Sequence, residues 1–500
     1  MKKGLSYIFY LVTMELSMWL CLTSIAEATE YVFTAIAPPA HSAGLHIGIP
    51  AINNKGKVAF FQFPTSIRVG DGISTLIVAD NTNGFLGFGE RPLSPDISIN
   101  DNDTVAFSVA FGGAGPNGLG YYITNGVAVT FIATVSNGMG TRPDFLIADT
   151  FVTYFSSIND RGMVAFSAFE NIGPPGGPNV GGEGGVFIWD GTMIETLVDT
   201  SGPLDKIPTF GLGPPHLNNK GEAAFQARLD AGGQGVFVSD GTITRTIADS
   251  TGSFSSFSLF PVLNDHGLAA FAASLDTGEE GIFTGDGSTV TTIVDTSGPF
   301  SEFRRLAINR NGTVVFLGSL DSGGRGIFTG PNPVADKVIR IGDTLSGLGV
   351  ADLDFGRDGF NDLGQIAFGA LLFDGSTGIY RADPIIELTI NIKPGDSIGS
   401  INPKSKGNIP VAILSTVDFN APARTDVATL TFGRTGDEPS LDFCNKGSKD
   451  INGDGLPDLV CHFATSQSGF QSGDTEGIVK GKTFEGLPLR GRDLVQVVPF

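Results

Sequence analysis

The densest group of chemistry-bearing residues is Asp450-Ile451-Asn452-Gly453-Asp454-Gly455-Leu456-Pro457-Asp458. Calcium is a hard cation that takes roughly six to eight oxygen ligands. The alternate spacing of Asp450, Asn452 and Asp454 turns their side chains to one side of a loop, and Gly455 permits the sharp turn. Leu456 then offers its carbonyl, and Asp458 adds direct or water-mediated ligation. The expected cofactor is Ca2+. A helix-loop-helix calcium sensor would carry a bidentate Glu at the twelfth loop position, which here is Cys461. That departure points to a loop between strands, with weaker binding suited to a calcium-rich exterior. Asp474 and Glu476 read as a solvated turn. Of three cysteines, Cys21 lies in the N-terminal segment, which leaves Cys444 and Cys461 as an even pair expected to form a disulfide that braces this loop. The chain-entropy argument puts such a ring at about 3 kcal/mol.

Catalytic patterns are weaker. Gly395-Asp396-Ser397-Ile398-Gly399 matches the GxSxG string of a nucleophile elbow, but no helical pattern follows it, as that chemistry requires. His41, His46, His216, His266 and His462 are scattered, and none stands in a metal-ligand spacing. Asp80, Asp199, Asp249, Asp295 and Asp343 recur at the ends of similar strands. An acid and a base need unlike environments that separate their pKa values, so a recurring carboxylate reads as the opening of a crossover turn. No catalytic residue is named, and an enzyme is not expected.

The elements that would position such groups come from one repeated pattern. An apolar residue, Asn, two further residues, usually Gly, two more and then usually Ala-Phe recur from Ile52, Ile99, Ile158, Leu217, Leu263, Ile308 and Phe360. Their asparagines, Asn53, Asn100, Asn159, Asn218, Asn264, Asn309 and Asn361, are 45 to 59 residues apart. Asn closes a tight turn through its side chain and Gly accepts positive φ, so the pattern predicts a turn between two strands. Four strand-like segments per repeat predict a four-stranded meander, and seven such meanders predict a β-propeller. The last repeat lacks a fourth strand before residue 383, whereas Tyr31 to Ala35 reads as a lone one. The expected fold is therefore an all-β, seven-bladed propeller closed by its N-terminal strand, followed by a small β-sandwich-like domain.

Residues 1–28 read as an export signal, with Lys2 and Lys3 before apolar runs and Ala26-Glu27-Ala28 at the cleavage site; an uncleaved anchor is the other reading. The propeller is placed at 29–383 and the C-terminal domain at 384–500. A formal charge of −21 repels phosphate backbones, which argues against nucleic-acid partners. No other stretch is long enough for a membrane span, and no sorting tail precedes Phe500.

The tandem NxxGxxAF pattern over about residues 30–383 resembles bacterial exported proteins described as choice-of-anchor tandem-repeat proteins. That resemblance implies export and repeat architecture rather than a reaction. The stretch from Ile390 through the Asp450 loop to Gly477 resembles a module appended to many bacterial secreted proteins, and its DxNxDGxxD spacing is shared by dockerin-like and integrin-type calcium loops. The expected function is binding or structural, with an extracellular ligand such as a glycan or a protein. The expected location is secreted or cell-surface, with the periplasm as the other compartment an export signal admits. The rival is an exported hydrolase or lyase that uses carboxylates at the propeller mouth on glycans. A recognition face is expected from the long loops Phe111–Gly120 and Glu170–Gly185 together with the crossovers.

Overall fold

The computed structural model describes residues 28–41, 49–62, 65–83, 97–111, 118–135, 156–171, 181–204, 215–257, 260–396, 398–447 and 449–498. Residues 1–27 of the expected export signal, Ser397, His46 and the middles of the two long loops at 112–117 and 172–180 lie outside the described residues.

Seven antiparallel sheets follow one another along the chain, each a meander whose first strand, split in the fifth sheet into Phe254–Phe257 and Val262–Leu263 and preceded in the seventh by the short Thr344–Leu345, joins the second through an Asn-x-x-Gly turn or its variant Asn100-Asp101-Asn102-Asp103. In the first sheet the strands are Ala51–Ile52, Val58–Gln62, Ser66–Gly70 and Thr75–Asp80. The seventh is completed from the other end of the chain: Tyr31–Ala40 pairs antiparallel with Thr377–Pro384, with Thr34 opposite Arg381 and Phe33 opposite Ala382. The expected seven-bladed ring and its N-terminal closing strand are both present.

The Ala-Phe pair explains how the sheets pack. Successive strand residues point to opposite faces, so a small residue faces one neighbouring blade and a large one faces the other. Phe60, Phe107, Phe166, Phe225, Phe271, Phe316 and Phe368 are all at most 2% exposed. Each lies in a core cluster with the small residue of the preceding blade: Phe166 with Ala106, Phe225 with Ala165, Phe271 with Ala224, and Phe60 with Ala367 across the closure. A large ring seated against a small residue, repeated around the circle, fixes the spacing of the blades. Within every blade but the first, where Phe60 lies opposite Arg68, the same Phe meets an aromatic on the third strand, as in Phe225 and Phe237 at 5.9 Å and Phe271 and Phe283 at 5.8 Å between ring centroids.

Apart from a short parallel pair, Ser400–Ile401 with Gln496–Val497, the C-terminal strands form one sheet rather than the two facing sheets of a sandwich. Its order is Thr425–Gly433, Glu476–Thr483, Pro488–Leu494, Ile386–Ile392, Asn408–Ile413, Leu459–Ala464 and Leu441–Cys444. The sheet curls until its edges meet, where Ser440 Oγ donates to Phe432 O at 2.5 Å, giving a nearly closed barrel around Ile390, Val411, Phe463 and Val479. The pairing of Ile386–Ile392 with Pro488–Leu494 is parallel and joins segments far apart in the chain. At the junction Ile385 N donates to Glu30 O at 2.8 Å, and Arg490 bridges Glu30, at 2.7 Å from Nη1, and Glu387, at 2.8 Å from Nε. These two carboxylates push the Arg490 pKa up, and the bond from Arg490 holds Glu30 below the usual carboxylate range.

Candidate functional site

The first-to-second-strand turns converge on the propeller axis, where they line a central pocket of about 130 Å3. In six of the seven repeats the Asn does two jobs there. Its Oδ1 accepts amides of its own turn, as Asn159 does from Arg161 N at 3.1 Å and Met163 N at 3.0 Å. Its Nδ2 donates to the backbone of the next blade. Asn53 reaches Asn100 O, Asn100 reaches Asn159 O, Asn159 reaches Asn218 O, Asn218 reaches Asn264 O, Asn264 reaches Asn309 O and Asn361 reaches Asn53 O, all within 2.9 to 3.1 Å. Asp would keep the acceptor and lose the donor, and Ser would lack the reach. A buried amide that caps one turn and links it to the next explains the Asn at these six positions, while Asn309 makes the cap, accepting Thr313 N at 3.0 Å.

The following residues, Asn54, Asp101, Asp160, Asn219, Asp265, Arg310 and Asp362, form a second ring at the mouth. Backbone amides bind side-chain oxygens of the next blade: Asn54 N to Asp101, Asp101 N to Asp160, Asp160 N to Asn219, Asn219 N to Asp265, Arg310 N to Asp362 and Asp362 N to Asn54, at 2.7 to 2.8 Å. Side-chain donors stand between most of the carboxylates. Asn219 Nδ2 reaches Asp160 at 2.7 Å and Asp265 at 3.1 Å, Asn54 Nδ2 reaches Asp101 at 3.3 Å and Asp362 at 3.2 Å, and Arg310 reaches Asp265 at 3.0 Å and Asp362 at 3.5 Å. Asp101 and Asp160 are neighbours with no such side chain between them.

Burial pushes the Asp101 carboxyl up, and the charge of Asp160 adds to the rise against the bonds from Asn54. A carboxyl raised in the folded state favours folding below its unfolded pKa, and that contribution is lost as pH rises through the folded value. Asp101→Asn should therefore raise stability at pH 7 by roughly 0.5 kcal/mol, a figure kept small because the pair is partly solvated. The advantage should disappear as pH falls below about 4, where the wild-type carboxyl is itself protonated. Urea midpoints of both proteins at pH 7 and about pH 3 measure it; a gain that persists at about pH 3 would place its origin elsewhere.

Deeper in the pocket lies a pair that sequence spacing hides. His216 and Asp358 are 142 positions apart, yet Nε2 of the one is 3.2 Å from Oδ1 of the other, joining the fourth blade to the seventh. Arg357 Nη1 also spans these blades, donating to Pro215 O at 3.2 Å. Burial raises the Asp358 carboxyl, but the bond from His216, the charge of Arg357 and a bond from Ser98 outweigh it and hold the pKa below the ordinary value. His216 Nδ1 accepts the amide of Leu263 at 3.1 Å, which places the proton on Nε2. Both ring nitrogens are thus committed. Ser157 and Ser98 do the same for earlier blades, accepting Leu217 N and Ile158 N at 3.1 Å. His216 is thus one more blade-to-blade acceptor, in a slot where the other repeats carry Ala51, Ser98, Ser157, Val262, Ala307 and Gly359. Aligning the repeats would have singled it out.

The expected fourth-strand carboxylates close turns. Asp80, Asp199, Asp249 and Asp295 each bind the amide and hydroxyl two residues on, Thr82, Ser201, Thr251 and Ser297, while Asp343 binds Lys337 at 3.0 Å and Arg340 N at 3.0 Å.

In the C-terminal domain Cys444 and Cys461 are direct partners on adjacent strands and form the disulfide. The Asp450 loop lies between them. Gly453 and Gly455 hold φ of 82° and 86°, and their amides donate to the two oxygens of Asp450 at 2.6 and 2.9 Å. Asn452 Nδ2 reaches Asp454 at 2.8 Å, and Leu456 N reaches Asp454 at 2.8 Å. Asp450, Asn452 and Asp454 are exposed, whereas Asp458 is 0% exposed beneath the loop. Among the described residues no group of three or more His, Cys, Asp or Glu stands ready around one metal position. Nor is any described helix long and apolar enough to cross a membrane.

A family of unknown function (DUF7453) matches residues 78–398. No curated protein matches the chain. Similar solved structures include an oligogalacturonate lyase in complex with manganese, 13% identical, covering 71% of this chain and 97% of that one at a TM-score of 0.41. The β-propeller domain of the Trilobed protease from Pyrococcus furiosus is 11% identical, with 61% and 96% covered and a TM-score of 0.37. YCF48 bound to D1 peptide is 10% identical, with 71% and 99% covered and a TM-score of 0.33. At these identities the likeness concerns the propeller fold.

Proposed function

Because the chain belongs to a family of unknown function, kinship assigns it no activity, and we propose from the site that it is an exported or surface-associated binding protein. Propellers are scaffolds for recognition, and the ligand class we favour is an extracellular glycan or protein. One observation carries the reading: the carboxylates at the mouth and the His216 imidazole are engaged in blade-to-blade bonds, so the chemistry-bearing groups of the pocket serve the scaffold. Each of the four mouth carboxylates accepts bonds on both of its oxygens, which turns them toward the neighbouring blades rather than toward a substrate. Screening the purified protein on polysaccharide and extracellular-protein arrays, alongside glycan turnover assays, tests this. Saturable binding without turnover is expected, and turnover abolished by His216→Ala or Asp358→Ala would overturn it. Deleting residues 174–184 then asks whether the expected loop contributes.

We further propose that the C-terminal loop binds calcium. The donor set suits a hard cation: Asp450, Asn452, Asp454 and the Leu456 carbonyl are oxygens on a turn whose glycines hold positive φ. Binding only the folded state stabilises it by about 2.7 kcal/mol at a hundred times Kd. Millimolar calcium should therefore raise the melting midpoint of the C-terminal domain by several degrees over chelator, and Asp454→Ala should remove the rise. Equal midpoints would withdraw the claim.

A further inference from the structure

Asp458 shares the calcium-loop spacing, but its surroundings set it apart from Asp450 and Asp454. It is completely buried, and its oxygens face two backbone amides from different segments: Oδ1 accepts Ser415 N at 2.8 Å and Oδ2 accepts Ile451 N at 2.8 Å. Its own backbone pairs with Lys449, with Asp458 N donating to Lys449 O at 3.0 Å. Ser415, itself 3% exposed, holds the same end of the loop from below, donating through Oγ to Pro457 O at 2.5 Å and accepting Ala421 N at 2.9 Å. The loop thus leaves and re-enters the sheet over one buried carboxylate, with the Cys444–Cys461 disulfide behind it.

We propose that Asp458 is a positioning residue of the calcium loop and not a ligand. It pins Ile451, at the start of the loop, and Ser415, on the neighbouring strand connection, so that Asp450, Asn452, Asp454 and the Leu456 carbonyl stay within one coordination shell. The carboxylate is needed in this role because it alone can accept two amide donors from opposite sides in a dry site; an amide in its place would turn an N–H toward one of them. Ser415 extends the same support one step further out. Groups that orient metal ligands in this way typically cost about 10- to 100-fold in affinity when removed.

The inference rests on the calcium reading, and the test separates the two. Calcium affinity of the whole protein is measured by titration calorimetry, and terbium(III), bound in calcium's place, reports its inner-sphere waters through luminescence decay in H2O and D2O. Wild-type protein that binds neither ion removes the calcium reading, and the inference with it. With wild-type binding in place, Asp458→Asn is expected to weaken calcium about 10-fold or more while the terbium water count stays as in wild type. A count higher by one or more would make Asp458 a ligand and overturn the inference, as would unchanged affinity. Should Asp458→Asn fail to fold, Asp458→Glu, which keeps the charge but moves its oxygens off the Ser415 and Ile451 amides, serves: weaker calcium binding at an unchanged water count supports the positioning role, and unchanged affinity overturns it.

Discussion

Asp383→Ala is expected to destabilise the propeller by about 3–5 kcal/mol, the range for breaking a buried ion pair from one side. Asp383 is 4% exposed and gathers Arg381 Nε at 2.6 Å, Arg381 Nη2 at 3.1 Å, Gln365 Nε2 at 2.6 Å and Thr34 Oγ1 at 3.0 Å. Thr34 belongs to the closing strand, and Arg381 continues to the first blade through Gly56 O at 2.5 Å. One carboxylate thus joins the last blade, the closing strand and the first blade. Without it the guanidinium stays buried beside carbonyls alone, and water entering to solvate it would part the seam. Asp383→Asn keeps the Thr34 bond and one acceptor, so its loss should be smaller, about 1–3 kcal/mol. Guanidinium unfolding curves read both, and an Asp383→Ala midpoint equal to wild type would show that the seam is held by its apolar contacts.

Asn159→Asp should cost about 2–4 kcal/mol, even though it exchanges one amide for an oxygen. Asn159 is 3% exposed; Asp would still accept Arg161 N and Met163 N but could not donate to Asn218 O, now 3.1 Å from the amide. A charge would also enter a buried ring, and an acceptor would lose its partner. Arg161→Ala, on the exposed side of the same turn, should stay within about 0.5 kcal/mol. A small effect at both positions would mean that the turn is closed by its own backbone and that the amide ring is incidental.

The blade count and the closing strand were legible because their causes are local: a turn needs Asn and Gly at fixed offsets, and a missing fourth strand next to a spare one leaves a single way to complete the sheet. The meaning of the Asn was only half legible. Its capping of Lys55 N or Met163 N follows from the turn, but its bond to the next blade depends on the register between sheets. His216 and Asp358 went unread as a pair because blades four and seven are distant in the chain and meet only at the axis. In the C-terminal domain the strands were visible, but the parallel pairing of Leu388 with Gly491 that rolls them into one sheet leaves no local trace.

The second ring at the mouth has an arithmetic consequence. A closed circuit with an odd number of members cannot alternate between two kinds, so a seven-bladed ring of acceptors and donors must somewhere set like beside like. Here that defect is confined to Asp101 and Asp160, with Asn54, Asn219 and Arg310 dividing the remaining carboxylates. A propeller designed from seven identical copies of the Asn-Asp-x-Gly turn would carry the defect at every junction, seven carboxylates facing one another around the axis. Repeat proteins are often idealised by consensus because identical units stack well. For this architecture the sequence differences between repeats are part of what lets the circle close.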